Sequence, residues 1–215
     1  MRNCRWSLQA LHSGDAAGAG KSARTKAQLM DATISVIAGQ SIDGATVHEI
    51  TKIAGVANGT FYAHFKDKDE IISAVTEAIA FEIARQLDKL MSDVDCAVTR
   101  VATGTRLFMD IVCQNPNLGW AFLKAYYAIP AFRLRVGVFM RSDITRGIKQ
   151  GVFCDTTDDF LMECIGGLVA SAAMSRLSGK VGPEAGIRAA ELQLQLLGVA
   201  PKTAKKATSK PLDFN

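Results

Sequence analysis

Residues 46–68 read TVHEITKIAGVANGTFYAHFKDK, and the rest of the chain is organised around them. Thr46 and Glu49 have the spacing of a capping box, in which hydroxyl and carboxylate satisfy each other's free backbone N–H groups at a helix start. Ile50, Ile53 and Ala54 then give that helix one apolar face. Gly55 follows where a chain leaving a helix needs positive φ, which glycine supplies without a Cβ clash. Val56 plugs the corner, and the next short helix carries Phe61 and Phe65 at i, i+4 on its inner side. Left outside are Asn58, Gly59, Thr60, Tyr62 and His64, which are polar or small and include no acid. Such a surface suits a helix lying against phosphates and base edges.

Short helix, glycine turn, second helix is the order of a helix-turn-helix. The run from Ala54 through Phe65, with Lys68 beyond it, goes further: it closely resembles the tetracycline-repressor (TetR) family signature, roughly A-G-V-S-x-G-T-x-Y-x-H-F-x-x-K. The similarity extends upstream to Arg24, so that about 50 residues carry it. Three positions depart from the family pattern. Ala57 stands where the family has a serine cap, which moves the expected cap to Asn58. Thr51 replaces a small alanine, and Ser41 stands where a glycine often ends the first helix.

The resemblance implies an all-α protein: an N-terminal three-helix DNA-binding unit at residues 23–70, joined to a larger helical bundle at 71–200 that binds an effector and dimerises. It implies a transcriptional regulator, most often a repressor, whose partners are double-stranded operator DNA, a small molecule and a second copy of the chain. The DNA-facing residues that it gives are Thr46, His48, Asn58, Gly59, Thr60, Tyr62, His64 and Lys68. Two of these keep a second reading. His48 either reaches a base or phosphate or is an ordinary exposed histidine. Lys68 sits in the first turn of the next helix, where a cation opposes the helix dipole. It either meets a phosphate at that helix end or pairs with Asp67 or Asp69.

Composition excludes more than it selects. The chain has 215 residues, 48% hydrophobic and 21% charged, with a net charge of +4, which is ordinary for a globular protein and would not by itself identify a DNA binder. No apolar run reaches the ~18–20 residues needed to span a bilayer, and the N-terminal MRNCRWSLQALHSG lacks a continuous apolar signal core. The expected location is therefore cytoplasmic, with no membrane partner. Cys4, Cys96, Cys113, Cys154 and Cys164 form neither a disulfide framework nor a zinc pattern, and are expected to be mostly small buried hydrophobes. The three histidines, His12, His48 and His64, stand in no metal-binding arrangement, and no glycine-rich phosphate loop is present. No metal, cofactor or catalytic residue is expected, and the protein is not expected to be an enzyme.

Taken in order, residues 1–22 read as a disordered arm and Arg24 to Ala38 as the helix that braces the motif. Asp67 and Glu70 cap a long helix from Lys68. Ser92 and Asp95 cap an apolar one reaching Gln114, Asn115-Pro116 opens another that Pro130 breaks, and Phe132 to Gln150 forms the next. Asp155 is expected to cap a helix starting at Thr156. The segment from Gly182 to Gly198 reads as the last helix, and 201–215 as a disordered basic tail.

Aromatics cluster in the central helices. Phe108, Trp120, Tyr126, Tyr127 and Phe139, with Leu123 and Asp110, are either plain core or the lining of the effector pocket that the family houses there, suited to a flat or lipophilic ligand. Asp110 equally suits an ion pair with Arg106 at i−4. For the dimer face the small residues Gly166, Gly167, Ala170 and Ala173 are expected to act with Leu192 and Leu196. The rival reading is a helical-bundle small-molecule-binding protein or enzyme carrying a non-functional helix-turn-helix.

Overall fold

Lys21 opens the first of ten α-helices, which account for all regular structure among the described residues, with no strand there. The structure, a computed structural model, describes residues 20–155 and 158–209 and residue 212. Most of the expected N-terminal arm, with Cys4 and His12, lies outside the described residues, as do Thr156 and Lys210. In chain order the helices are α1 (Lys21–Gly39), α2 (Val47–Ala54), α3 (Asn58–Tyr62), α4 (Lys68–Leu90) and α5 (Ala97–Gln114). They continue with α6 (Pro116–Ala128), α7 (Pro130–Lys149), α8 (Asp159–Leu177), α9 (Ala185–Leu196) and α10 (Pro201–Thr208).

Two compact units emerge from the packing. The first holds residues up to Glu82 together with Asn115–Phe132, and the second holds Ile83–Gln114 and everything from Arg133 onward. A single cut at residue 70 does not reproduce that division, because α6 packs on α1 although some 80 residues separate them. In the first unit α1 buries Leu29, Met30, Ile34 and Ile37, and α2 and α3 contribute Ile50 and Phe61. Lys124 of α6 donates from Nζ to the carbonyls of Ala38 (2.7 Å) and Gln40 (2.5 Å), the last acceptors of α1. A cation at a helix C-terminus satisfies orphan carbonyls and complements the dipole. Burial pushes the Lys124 ammonium below its usual pKa.

In the second unit α5 packs on α8, α9 and α10 around Val101, Ile165, Leu194 and Leu197. Arg100 is its polar centre: Nε meets Asp143 Oδ1 at 2.7 Å and Nη1 donates to the Met91 carbonyl at 2.7 Å. Removing either member of so enclosed an ion pair costs about 3–5 kcal/mol, since its partner is left charged and buried. Thr105 and Gln193 add a buried hydrogen bond between α5 and α9.

Several helix boundaries differ from the sequence expectation. Residues 92–95 do not open α5; the N-terminus of α5 is capped from the end of α7, where Gln150 Oε1 accepts from Ala97 N–H (3.0 Å) and its Nε2 donates to the Asp95 carbonyl (2.9 Å). At α8 the cap is Asp158, accepting from Leu161 N–H at 2.8 Å, and not Asp155. Asp67 caps α4 as expected, but Glu70 returns to Lys66 N–H (2.7 Å). Pro130 occupies the first position of α7, where its missing N–H costs nothing. Lys21 and Ser22, assigned to the arm, already belong to α1. Cys96 and Cys164 are exposed, contrary to the burial expected of them, and Cys113 and Cys154 are half-buried.

The largest difference is α10. Its sequence, PKTAKKAT, is too polar to read as a core element, yet Ala204 and Thr208 lie one turn apart and are both fully buried. Thr208 Oγ1 donates to Glu191 Oε1 at 3.2 Å, and α10 packs on α9 and α5. Residues 201–208 are thus a docked strut and not part of a disordered tail. Ala204→Arg forces a long charged side chain into that seat, an overpacking worth roughly 1–3 kcal/mol. The thermal midpoint should fall by several degrees, at roughly 2–4 °C per kcal/mol for a chain of this size. Lys205→Ala on the exposed face is the control and should leave the midpoint unchanged.

Candidate nucleic-acid interface

The first turn of α2 is built as its sequence dictates. Thr46 Oγ1 accepts from Glu49 N–H at 3.2 Å and Glu49 Oε2 accepts from Thr46 N–H at 3.2 Å, the reciprocal capping box. A third residue joins it: Gln40 donates from Nε2 to Glu49 Oε2 at 2.9 Å. Gln40 therefore links two contacts, its carbonyl taken by Lys124 and its amide by Glu49. The Gln40 amide first, and Thr46 second, hold the Glu49 carboxyl below its usual pKa.

Gly55 ends α2 at φ 68°, the left-handed conformation that a side chain would strain, and Val56 N–H returns to the Thr51 carbonyl at 3.0 Å. That turn aims α3 away from α2. Phe61 is wholly buried at the base of α3 and packs against Phe65 with ring centroids 5.8 Å apart, while Lys26 Nζ sits 5.4 Å from the Phe65 ring. The inner face assigned to Phe61 and Phe65 is thereby filled.

The outward side of α3 presents Asn58, Gly59 and Tyr62 as exposed residues, with Thr60 and His64 half-buried beside them. His48 and Thr46 are exposed on α2 and its cap. No acid interrupts residues 57–64. Gly59 has a negative φ, and a Cβ built on it would meet nothing within 4 Å. Neither backbone geometry nor internal packing requires glycine there, although glycine costs a helix about 1 kcal/mol relative to alanine.

Two assignments change in detail. Asn58 is not the N-cap of α3; that position is Ala57, with no side-chain cap bond. The Asn58 carboxamide instead reaches back to the buried Thr51 hydroxyl at 2.6 Å. Lys68 does not pair with Asp67 or Asp69; its Nζ donates to the Asp43 carbonyl at 3.0 Å, tying the loop after α1 to the start of α4. An ammonium has three protons, so two remain for an oxyanion. Sequence reasoning missed Gln40 and Lys124 altogether, since both act across the fold and neither lies in a periodic pattern.

The aromatic set divides between the two units. Trp120, Leu123, Tyr126 and Tyr127 belong to α6 in the first, where Phe122 stacks on Tyr126 at 6.4 Å and Tyr126 meets Tyr127 edge-on at 5.4 Å. Leu123 and Tyr126 are buried, Trp120 is half-buried and Tyr127 exposed. Phe108, Asp110 and Phe139 belong to the second unit. There Asp110 accepts from Arg176 Nη1 of α8 at 2.8 Å, a partner that the i−4 spacing did not disclose, and it acts electrostatically on Arg106 as well. Burial, opposed by Asp110, lowers the Arg106 pKa. Burial likewise raises the Cys113 thiol, which disfavours its reactive thiolate form.

For the expected dimer face the structure separates two groups. Gly166, Ala170 and Ala173 are buried within the protomer, because α8 turns them inward in the unit where it packs on α9 and α5. Within the protomer they present little surface to a second copy. Gly167 and Leu192 are half-buried and Leu196 is exposed. The outward side of α8 instead shows Phe160, Cys164, Ser171 and Met174, with Phe160 76% exposed. Helix α8 is long and apolar enough to cross a membrane by composition, but only 28% of its apolar window is buried within the chain.

Comparison with known proteins bears on the same stretch. The family described as bacterial regulatory proteins, tetR family, matches residues 29–75. An uncharacterised HTH-type transcriptional regulator of Bacillus subtilis (strain 168), YvdT, is 40% identical over 50 residues, or 23% of this chain and 26% of that protein. The fatty acid metabolism regulator protein of the same organism is 26% identical over 91 residues, 42% of this chain and 47% of its own. The chain thus spans a quarter to a half of these curated relatives. Whole-chain likeness appears in folds. RolR in complex with resorcinol matches with a TM-score of 0.68 at 23% identity, covering 90% of this chain and 97% of RolR. FadR from Bacillus subtilis in complex with stearoyl-CoA matches with a TM-score of 0.65 at 18% identity, covering 80% and 98%.

The Glu49 carboxyl offers a direct check on the capping geometry. A carboxyl whose folded pKa lies below its unfolded value stabilises the fold above the unfolded pKa, and that contribution is lost as pH falls through the folded pKa. Followed by NMR, Glu49 should titrate below its ordinary 4.5. Gln40→Ala should move the midpoint back toward that value; an unmoved midpoint would show that the Gln40 amide does not hold the carboxylate.

Proposed function

We propose that this chain, whose residues 29–75 match the family described as bacterial regulatory proteins, tetR family, is a ligand-responsive repressor acting as a homodimer. The observation that carries the DNA-binding part is the outward face of α3, free of acids, where Gly59 is demanded by no internal contact. A missing side chain lets a phosphate backbone come close. Asn58, Gly59 and Thr60 open the helix toward base edges, while Tyr62, His64 and the two uncommitted protons of Lys68 serve phosphates. Thr46 and His48 complete the surface. Selection from a randomised duplex library should enrich one sequence arranged as two half-sites; enrichment of none would defeat the reading.

A five-residue recognition helix contacts few base pairs, so two copies are needed to specify a site. The apolar outward side of α8, from Phe160 past Gly167 to Met174, is the surface proposed for the second copy, with Leu192 and Leu196 beside it. A Cβ at Gly167 meets nothing within 4 Å inside the protomer. Gly167→Arg should therefore leave the thermal midpoint unchanged yet give monomers by sedimentation, with loss of operator binding. A dimer that survives the substitution would place the interface elsewhere.

For the effector, the aromatic surface of α6 suits a flat or lipophilic molecule, a class to which the resorcinol and stearoyl-CoA bound by RolR and FadR also belong. The same helix carries Lys124, so displacing α6 pulls on Gln40 and, through it, on Glu49 and the start of α2. The ligand acts only through its differential affinity for the two states, commonly ~1–3 kcal/mol of coupling, and operator DNA must weaken the ligand by the same factor. With Trp6 replaced by phenylalanine, Trp120 fluorescence titrations of resorcinol or an acyl-CoA with and without operator should differ about five- to hundredfold in affinity. Lys124→Met should shrink that ratio toward one while leaving ligand affinity without DNA intact. Equal affinities in the unsubstituted protein would leave the ligand uncoupled from DNA.

A further inference from the structure

We infer that Thr51 is a positioning residue that decides which end of the Asn58 carboxamide faces outward, and so what that side chain reads on a base edge. The inference rests on the DNA-binding reading above. Thr51 lies on α2 and is 2% exposed, whereas Asn58 opens α3 and is exposed. Three acceptors surround the Thr51 hydroxyl: the carbonyls of Val47 at 2.9 Å and His48 at 3.0 Å, and Asn58 Oδ1 at 2.6 Å. The hydroxyl has one proton to give.

Distance decides where the proton goes. A separation of 2.6 Å lies within the ~2.5–3.0 Å of O–H···O bonds and below the ~2.7–3.2 Å of N–H···O bonds. The Asn58 atom facing Thr51 is therefore the carbonyl oxygen, and the hydroxyl donates to it. Were the proton given to Val47 instead, two oxygens would face each other with nothing between them. The carboxamide would then turn over and donate its N–H to Thr51. Hydroxyl and amide are coupled, and the observed state leaves the NH2 group as the outward end.

An outward NH2 donates and does not accept. It suits O6 of guanine or O4 of thymine; N7 accepts in both purines, but beside it adenine presents an N6 donor that an outward NH2 cannot answer. The two-point adenine contact, which needs carbonyl and NH2 side by side toward the base, is closed to it because the carbonyl is held inward by Thr51. The residue at position 51, remote from any base, thus tunes specificity at the base pair that Asn58 meets.

The test uses full-length protein and the randomised duplex library, comparing the unsubstituted chain with Thr51→Val, Thr51→Ala, Thr51→Ser and Asn58→Ala. The unsubstituted protein and Thr51→Ser should share one base-pair position per half-site that prefers guanine or thymine over adenine by roughly two- to tenfold, the worth of one hydrogen bond. Asn58→Ala should lose that preference. Thr51→Val and Thr51→Ala should admit adenine at the same position, and nowhere else, with an unchanged salt dependence. Thermal melts identify any variant that does not fold; Val keeps the volume and Ala relieves any crowding, so a folded one decides. Profiles for both that match the unsubstituted protein, or a uniform loss over all sequences, would overturn the inference. If the unsubstituted protein enriches nothing, it is the DNA-binding reading that falls.

Discussion

A helix of five residues cannot hold its own shape in water, since nucleation alone outweighs the few hydrogen bonds it forms. Everything about α3 is imposed from outside. Gly55 sets the angle at which the chain arrives, Phe61 anchors the inner face, and the Thr51 hydroxyl catches the first residue. Behind these stands a polar chain, Lys124 to Gln40 to Glu49 to Thr46, that fixes the start of α2. The recognition surface is therefore only as well placed as the helices supporting it.

The two units solve the same problem with different chemistry. In the first, an ammonium reaches carbonyls at the end of α1. In the second, Arg100 gathers an aspartate and a backbone carbonyl, and Gln150 supplies the cap that α5 lacks. In each case a long side chain completes hydrogen bonds at the end of a helix or its flank, with Lys124 and Gln150 doing so across more than fifty residues of sequence. Helix ends left bare in a protein interior are costly, so these contacts fix where the helices stop as well as how they pack. The aromatic pairs of α6 fill space between such fixed points.

What the sequence revealed was local. Thr46, Glu49 and Gly55 act over three or four residues, and Phe61 and Phe65 over one turn, so spacing alone disclosed their roles. Lys124, Gln40 and Gln150 bind partners that are distant in sequence, and nothing near them marks their function. Helix α10 was missed for a different reason: its average character is basic and polar, and only the one-turn separation of Ala204 and Thr208, with Pro201 leading, signals a buried stripe. The inward turn of Ala170 and Ala173 was equally hidden, since small residues permit close approach without saying whether the visitor comes from the same chain or another.

The return of residues 115–132 to the N-terminal unit has a bearing on how such a protein can change over evolutionary time. A segment ending near Glu82 would carry every residue proposed to face DNA, yet α1 would lose the helix packed on it and the cation at its end. The reading head is therefore not a cassette that recombination can cut at one point and graft onto another sensor. An exchange would have to bring α6 along, and with it part of the aromatic surface proposed to meet the effector. On the proposed reading, specificity for DNA and for ligand are thus inherited together, and either drifts more easily by point substitution than by shuffling.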